Sequence, residues 1–206
     1  MSTLPPLIHV VDDDESLRTA LLRLLGAAGF EACGYASTGD FLLQMPPDRP
    51  GCLLLDVRMP GPSGLDLQAA LRRQAHALPV IFLTGYADVA ASVQAMKAGA
   101  VDFLTKPVER EILFEALQCA LARDAAQRTA RTEAEQLRAA FAALTPRERT
   151  VFDHIVAGQI NKQIADALGI AERTVKLQRA QVMVKLGANS AAELGRLAER
   201  LRYLLD

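Results

Sequence analysis

Four places in the first half of the chain carry side chains that could do chemistry together. Asp12, Asp13 and Asp14 stand in a row after the apolar run Leu7–Val11. Asp56 closes the apolar run 52–55, Thr84 closes the run 80–83, and Lys106 follows the run 101–104. Packed carboxylates repel one another, and a bound cation offsets that repulsion. Mg2+ takes carboxylate, carbonyl and water oxygens in a near-octahedral shell and often bridges to phosphate. In such a pocket a central carboxylate can act as nucleophile and take a phosphoryl group. Transfer then needs mainly positioning and charge stabilisation. Asp56 suits the nucleophile, Lys106 adds a positive charge and Thr84 a hydrogen bond. Taken singly these residues mean little, since Asp is common after strands and Thr-Gly or Lys-Pro marks a turn. Their joint placement at four successive positions carries the weight.

The elements that must position them alternate. Leu7–Val11 reads as a strand, and 16–28 as a helix with Leu17, Leu21, Leu24 and Leu25 on one face, ended by Gly29. Glu31–Tyr35 is a second strand and 39–45 a short helix. The buried runs 52–55 and 80–83 are strands, each followed by a helical pattern, 65–74 and 89–98. The fifth strand spans 101–104, and a helix starts near Glu109. Five strand–helix units predict a doubly wound, five-stranded parallel sheet with helices on both faces. Such sheets bind ligands at the carboxyl ends of their strands, where the four positions above converge.

Helical periodicity continues from Glu109 to about Ala143, and 123–142 is rich in Ala, Arg, Gln and Glu without Pro or Gly. The expected organisation is an α/β domain over 1–122, a helical linker over 123–143 and an all-α domain over 144–206. Net charge follows this division. Residues 1–122 hold 9 Lys/Arg and 14 Asp/Glu, a net of −5, and residues 145–206 hold 10 and 7, a net of +3. An acidic front suits a cation and a basic tail suits a polyanion. Cys33, Cys52 and Cys119 lack CxxC spacing and read as small residues in or near a core of a protein kept reduced. His9, His76 and His154 are scattered and receive no role. Residues 1–6 lack a basic start and an apolar segment, and no apolar run approaches a membrane span. The expectation is a cytoplasmic protein without membrane contact.

In the last segment, Thr145-Pro146-Arg147-Glu148 has the cap, first-turn proline and third-position acid of a helix start. Val151, Phe152, Ile155 and Val156 form its apolar stripe. A short helix, Asn161–Leu168, buries Ile164 and Leu168 and stops at Gly169. A third, from Glu172 to Leu186, sets Val175, Val182 and Leu186 toward a core and Arg173, Lys176 and Arg179 outward. Helix, glycine turn, helix is the spacing of a helix-turn-helix. A cationic face on its second helix suits the DNA major groove, and equally suits a merely solvated helix.

The front half resembles the receiver domain of bacterial two-component response regulators, which has the CheY-like fold. The resemblance covers about residues 7–122. It rests on Val10-Val11-Asp12-Asp13-Asp14, Leu55-Asp56-Val57-Arg58-Met59-Pro60, Gly64-Leu65-Asp66, Leu83-Thr84-Gly85, Lys97-Ala98-Gly99-Ala100 and Phe103-Leu104-Thr105-Lys106-Pro107. It implies that Asp12 and Asp13 hold Mg2+, with Asp56 and the Arg58 backbone carbonyl as further ligands. Asp56 is then the phosphoacceptor, Thr84 the switch hydroxyl, Phe103 the switch aromatic and Lys106 the site lysine. The Lys106–Pro107 bond is expected to be cis. Asp14 is an additional carboxylate and not a direct ligand. Arg58 and Tyr86 are expected to border the phosphoryl group.

Residues 143–200 resemble the LuxR-type helix-turn-helix of FixJ-like regulators, through Leu144-Thr145-Pro146-Arg147-Glu148-Arg149, Asn161-Lys162-Gln163-Ile164-Ala165, Arg173-Thr174-Val175-Lys176 and Lys185-Leu186. The resemblance implies base contacts from Lys176 and Leu177, base or phosphate contacts from Gln178 and Arg179, and phosphate contacts from Thr174, Asn161 and Lys162. Ala171 and Gln178 depart from the family, which often has serine and histidine there. The final helix, Ala191–Leu205, is expected to carry a dimer contact. The partners implied are a sensor histidine kinase, promoter DNA, RNA polymerase and, on activation, a second copy of the chain. Two alternatives stand beside this reading: a DNA-binding protein indifferent to phosphorylation, and an aspartate-nucleophile phosphatase. The latter needs a second aspartate that Asp56-Val57-Arg58 lacks.

Overall fold

The computed structural model describes residues 4–44, 49–73, 78–85 and 89–205, the side chains of 89–91 and 205 excepted. The chain forms two compact units, 1–128 and 129–206.

In the first unit five strands, β1 (Leu7–Val11), β2 (Glu31–Tyr35), β3 (Gly51–Asp56), β4 (Val80–Thr84) and β5 (Asp102–Thr105), make a wholly parallel sheet in the order β2-β1-β3-β4-β5. Helices α1 (Glu15–Ala27), α2 (Thr38–Gln44), α3 (Gly64–Leu71), α4 (Val89–Lys97) and α5 (Arg110–Ala142) alternate with them. Side chains alternate across each strand, so the sheet has two cores. Ile8, Val10, Cys52, Leu54, Ile81 and Leu83 pack against Leu21 and Leu25 of α1 and Leu113 and Leu117 of α5. Val11, Leu53, Leu55, Val80 and Phe82 pack against Phe41 of α2, Leu67 and Leu71 of α3 and Ala95 of α4. The central strands β1, β3 and β4 are buried along their length, which explains their unbroken apolar runs.

The expected five strand–helix units are present, with bounds displaced by a residue or two. The third helix ends earlier than the predicted 65–74, at Leu71. Its start is sharp because Ser63 and Asp66 form a reciprocal capping box. Cys119 departs from expectation: it lies exposed on α5, whereas Cys52 is buried and its thiol is pushed up to about 12 by burial and by the Asp124 charge.

The α5 helix runs on for 33 residues, and the unit boundary falls inside it. The predicted linker is therefore shared. Asp124, buried in the first unit, accepts from the Gly51 N–H at 3.0 Å and from Arg128 Nε at 2.9 Å. Arg128 Nη2 also donates to the Arg49 carbonyl at 2.6 Å. Gly51 itself tolerates no side chain, since a Cβ would meet the Leu7 carbonyl oxygen at 2.0 Å. Leu137, further along α5, joins the second unit's core.

That second unit adds α6 (Pro146–Val156), α7 (Asn161–Leu168), α8 (Glu172–Leu186) and α9 (Ala191–Leu205). Thr145 and Glu148 form the predicted capping box of α6, and Lys185 Nζ reaches Glu148 at 2.7 Å. Val151, Phe152, Ile155, Ile164, Val175, Val182 and Leu186 make the core. Val156 departs from its predicted stripe and is exposed, because the core closes on the neighbouring Ile155. On α9, Leu194 and Leu201 are buried, and Leu197, Ala198 and Leu204 pack against the same core, while Tyr203 is exposed.

Candidate phosphoacceptor site and nucleic-acid interface

The strand order reverses between β1 and β3, and the carboxyl ends of these two strands deliver the acidic residues. Asp12 follows β1 and is completely buried; Asp56 ends β3 and is almost so; Asp13 is exposed. One carboxylate oxygen from each of Asp12, Asp13 and Asp56 lies within 4.8 Å of the others. Lys106, just past β5, sends its ammonium into this group, 2.7 Å from Asp12 Oδ2 and 2.7 Å from Asp56 Oδ2. Its backbone N–H donates to the Thr84 carbonyl at 2.7 Å, which fixes the end of β5 to the end of β4. The Lys106–Pro107 bond is cis, as expected.

The rest of the pocket is held by backbone. Asp12 Oδ1 accepts from the Asp14 N–H at 3.0 Å, and the Asp12 carbonyl accepts from Arg18 at 2.6 Å. Asp56 Oδ1 accepts from the Arg58 N–H at 3.1 Å, so its two oxygens face different donors. Gly64 lets α3 begin against β3, since a Cβ there would stand 2.2 Å from the Asp56 carbonyl oxygen. Burial pushes the Asp12 carboxyl above its usual range, against the pull of Lys106. Burial also works to lower Lys106, but its bonds to Asp12 and Asp56 outweigh this and hold the ammonium above its ordinary value. The lysine stays charged.

Asp14 has a different task. Its side chain caps α1, accepting from Ser16 N–H at 2.8 Å and Leu17 N–H at 3.2 Å, so its carboxylate is committed to the helix. Thr84 is buried at the end of β4. Phe103 pairs in register with Phe82, their rings 6.0 Å apart, half-buried against the α3–α4 core. The Arg58 side chain is exposed. Tyr86 lies outside the described residues.

This donor set fits a hard cation. Three carboxylates are within a common reach, and among the described residues the Lys106 ammonium is the positive charge paired with them.

The second unit offers a surface of another kind. Gly169 ends α7 at the glycine turn predicted between the two helices, and does so in the left-handed region with φ of 63°. On α8, Arg173, Lys176 and Leu177 are exposed, Leu177 at 62%, and Thr174 and Gln178 are half-buried. Arg179 departs from its predicted outward course: half-buried, it donates to Asn161 Oδ1 at 3.3 Å. A three-residue step falls short of a full helical turn by about 60°, so two steps carry position 179 round toward α7. Lys162 is exposed on α7. Ala171 provides no side-chain cap to α8, as its departure from the family implies.

Sequence reasoning missed Arg18, which braces the Asp12 backbone, and Asp124, which braces β3. Arg18 could be suspected from its place on α1, one turn after the aspartates. Asp124 stands 73 residues from its partner with no local signal.

Comparison with known proteins agrees with both halves. Residues 8–118 match the response regulator receiver domain, and residues 142–198 match the bacterial regulatory proteins of the luxR family. Nodulation protein W of Bradyrhizobium diazoefficiens is 43% identical over 95% of this chain and 86% of its own. The transcriptional regulatory protein FixJ of the same organism is 40% identical over 97% of each. The solved structure of the response regulator StyR covers 96% of this chain and 100% of its own, with 44% identity and a TM-score of 0.86. Relatives of this kind are transcriptional regulators, not enzymes, and the phosphatase alternative falls. With an aspartate–lysine pocket on a receiver sheet and a LuxR-type helix-turn-helix behind it, the chain belongs to the FixJ-type response regulators, the transcription regulators of two-component systems.

Proposed function

We propose that Asp56 accepts a phosphoryl group from a sensor histidine kinase and that this modification raises the chain's affinity for promoter DNA. The observation that carries the reading is the Lys106 ammonium bridging Asp12 and Asp56 at 2.7 Å each, beside Asp13. An Asp56 carboxylate oxygen attacks phosphorus, the bond from phosphorus to the donor's imidazole nitrogen breaks, and the imidazole leaves with that electron pair. Asp12, Asp13, Asp56 and the Arg58 carbonyl would hold Mg2+, whose charge neutralises the phosphoryl oxygens when it is bound. Lys106 stays protonated and stabilises the anionic product. The Thr84 hydroxyl hydrogen-bonds to the phosphoryl group and shifts toward it. Phe103 then repacks against Phe82, which changes the face formed by α4, β5 and α5. That face pairs with a second copy of the chain.

Two helix-turn-helix units held as a dimer read a roughly palindromic site. Lys176 and Leu177 contact bases. Gln178 and Arg179 contact bases or phosphate, and Thr174, Asn161 and Lys162 contact phosphates. The bound dimer engages RNA polymerase. The protein works in the cytoplasm; no described helix is long and apolar enough to cross a membrane.

DNA-binding selection with and without a small phosphodonor and Mg2+ tests this, with wild type beside Asp56→Asn. The expected outcome is a labile adduct at Asp56 by mass spectrometry and tighter promoter binding, both lost in the variant. If Asp56→Asn binds DNA as well as the treated wild type does, regulation is independent of this aspartate and the proposal fails.

A further inference from the structure

A second charged cavity opens at the opposite edge of the sheet, at the amino end of β4. It encloses about 260 Å3 between the end of α3, the end of α4 and the middle of α5. Arg72 at the cap of α3, Lys97 at the end of α4 and Arg123 of α5 come to it, with Gln68 and Gln127 beside them. Among the described residues no Asp or Glu lines it, and none of the three cations has an ion pair.

A cation near a helix carboxyl end is commonly explained by the carbonyls there. That explanation is weak for this group. The Gln68 amide, 3% exposed, already points at the α4 terminus, 3.4 Å from both the Ala95 and Ala98 carbonyls. Lys97 is left over. Arg123 belongs to the middle of a long helix and has no terminus of its own to serve. Its guanidinium reaches over Gly99, which turns the chain out of α4 with φ of 86°, and Nη2 stands 3.8 Å from where a Cβ would be. Three exposed like charges line this one concave site, and an anion among them would offset their mutual repulsion.

We propose that this cleft binds a phosphate-bearing small molecule, its phosphate oxygens shared by Arg72, Lys97 and Arg123. Guanidinium forks match such oxygens in pairs, and an ammonium adds a point charge. The volume falls just short of the ~300–1,000 Å3 of drug-sized pockets, which favours a group of pyrophosphate size over a bulky ligand. The site is independent of Asp56, from which it is separated by the length of the sheet. A bound anion ties the ends of α3 and α4 to the middle of α5.

The test uses the full chain carrying Asp56→Asn, with chelator present, so that the acidic pocket neither reacts nor holds metal. Pyrophosphate and ATP are titrated at constant ionic strength by calorimetry and by amide NMR; the two arms distinguish a free phosphate from a nucleotide. The expected result is saturable binding with shifts at Gly99 and the Gln68 side-chain amide. Arg72→Gln and Arg123→Gln should each weaken it about tenfold, the loss of one charge-assisted hydrogen bond. Both arginines are exposed, so the variants should fold. Absence of saturable binding overturns the proposal. So do unchanged affinity in the double variant and shifts confined to α8 around Arg173 and Lys176.

Discussion

At the carboxyl edge of the sheet, Asp12, Asp56, Thr84 and Lys106 arrive from four different strand ends and are largely buried. Their carboxylates and ammonium answer one another at hydrogen-bond distance. On α8, Arg173, Lys176 and Leu177 come from one stretch of helix and stand in solvent. A pocket that transfers a group, as proposed for this one, must be built before its substrate comes, because misplaced charge costs rate. A surface that grips a polyanion needs only the right charges on one face, since the partner completes the geometry. The first should be brittle to single changes and the second graded.

The largest effect is expected from Lys106→Met. It leaves Asp12 and Asp56 facing each other without their shared cation, and should destabilise the first unit by about 3–5 kcal/mol in chelator. Hydrogen exchange of the β1 and β3 amides would read this, and added Mg2+ should recover part of it. Unchanged exchange would mean the ion pairs do not hold the pocket.

The next effect separates the units by pH. His9 is buried against Tyr35 and Phe41, with Nδ1 3.0 Å from the Tyr35 hydroxyl. Burial, with the Arg49 charge adding to it, lowers its pKa to about 4. The folded state keeps the imidazole neutral while the unfolded chain protonates it near 6.5. Its contribution is therefore whole above that pH and is lost between 6.5 and about 4, roughly 3 kcal/mol in all. In the second unit, bonds from Lys185 and Thr145 hold the Glu148 carboxyl below its ordinary range. That contribution persists to lower pH and is lost only as pH falls below the ordinary carboxylate value. Urea unfolding followed by NMR resonances of each unit should show the first unit weakening earlier, and His9→Gln should flatten its profile. Equal slopes in both units would remove the distinction.

Smaller and more graded changes are expected on α8. Lys176→Ala should cost about 1–3 kcal/mol in promoter affinity and relax sequence preference, while Lys162→Ala should weaken all sequences alike and lower the salt slope by about 1. Neither should alter labelling of Asp56. Gel-shift titrations over a salt series distinguish them. Smallest of all, Ala171→Ser should add the missing cap of α8 and raise the second unit's stability by about 1 kcal/mol. A Tm that stays put would mean the α8 terminus is already satisfied.

The alternation of elements and the pocket residues were legible because both write local signals. Buried parallel strands leave unbroken apolar runs, and the fold carries their last residues to one edge. Caps were equally plain at Thr145 and Glu148. Arg179 was harder: spacing by threes reads as one face over a single step and drifts over two. Val156 shows the same limit at the edge of a stripe, where apolar character does not say which neighbour the core closes on. The Asp124–Gly51 contact had no local trace, since it is made by the topology alone. Through it the first compact unit extends along α5 to Arg128.

That contact bears on how the receiver can be isolated. A fragment cut at residue 122, where the apolar pattern on the sheet gives out, would lose Asp124 and Arg128 together. The amide at Gly51 would then be stranded in the interior with no carboxylate to meet it, at the foot of the strand whose far end carries Asp56. Cutting after Arg128 keeps the brace, and the two fragments should differ in melting temperature although neither truncation approaches the acidic pocket.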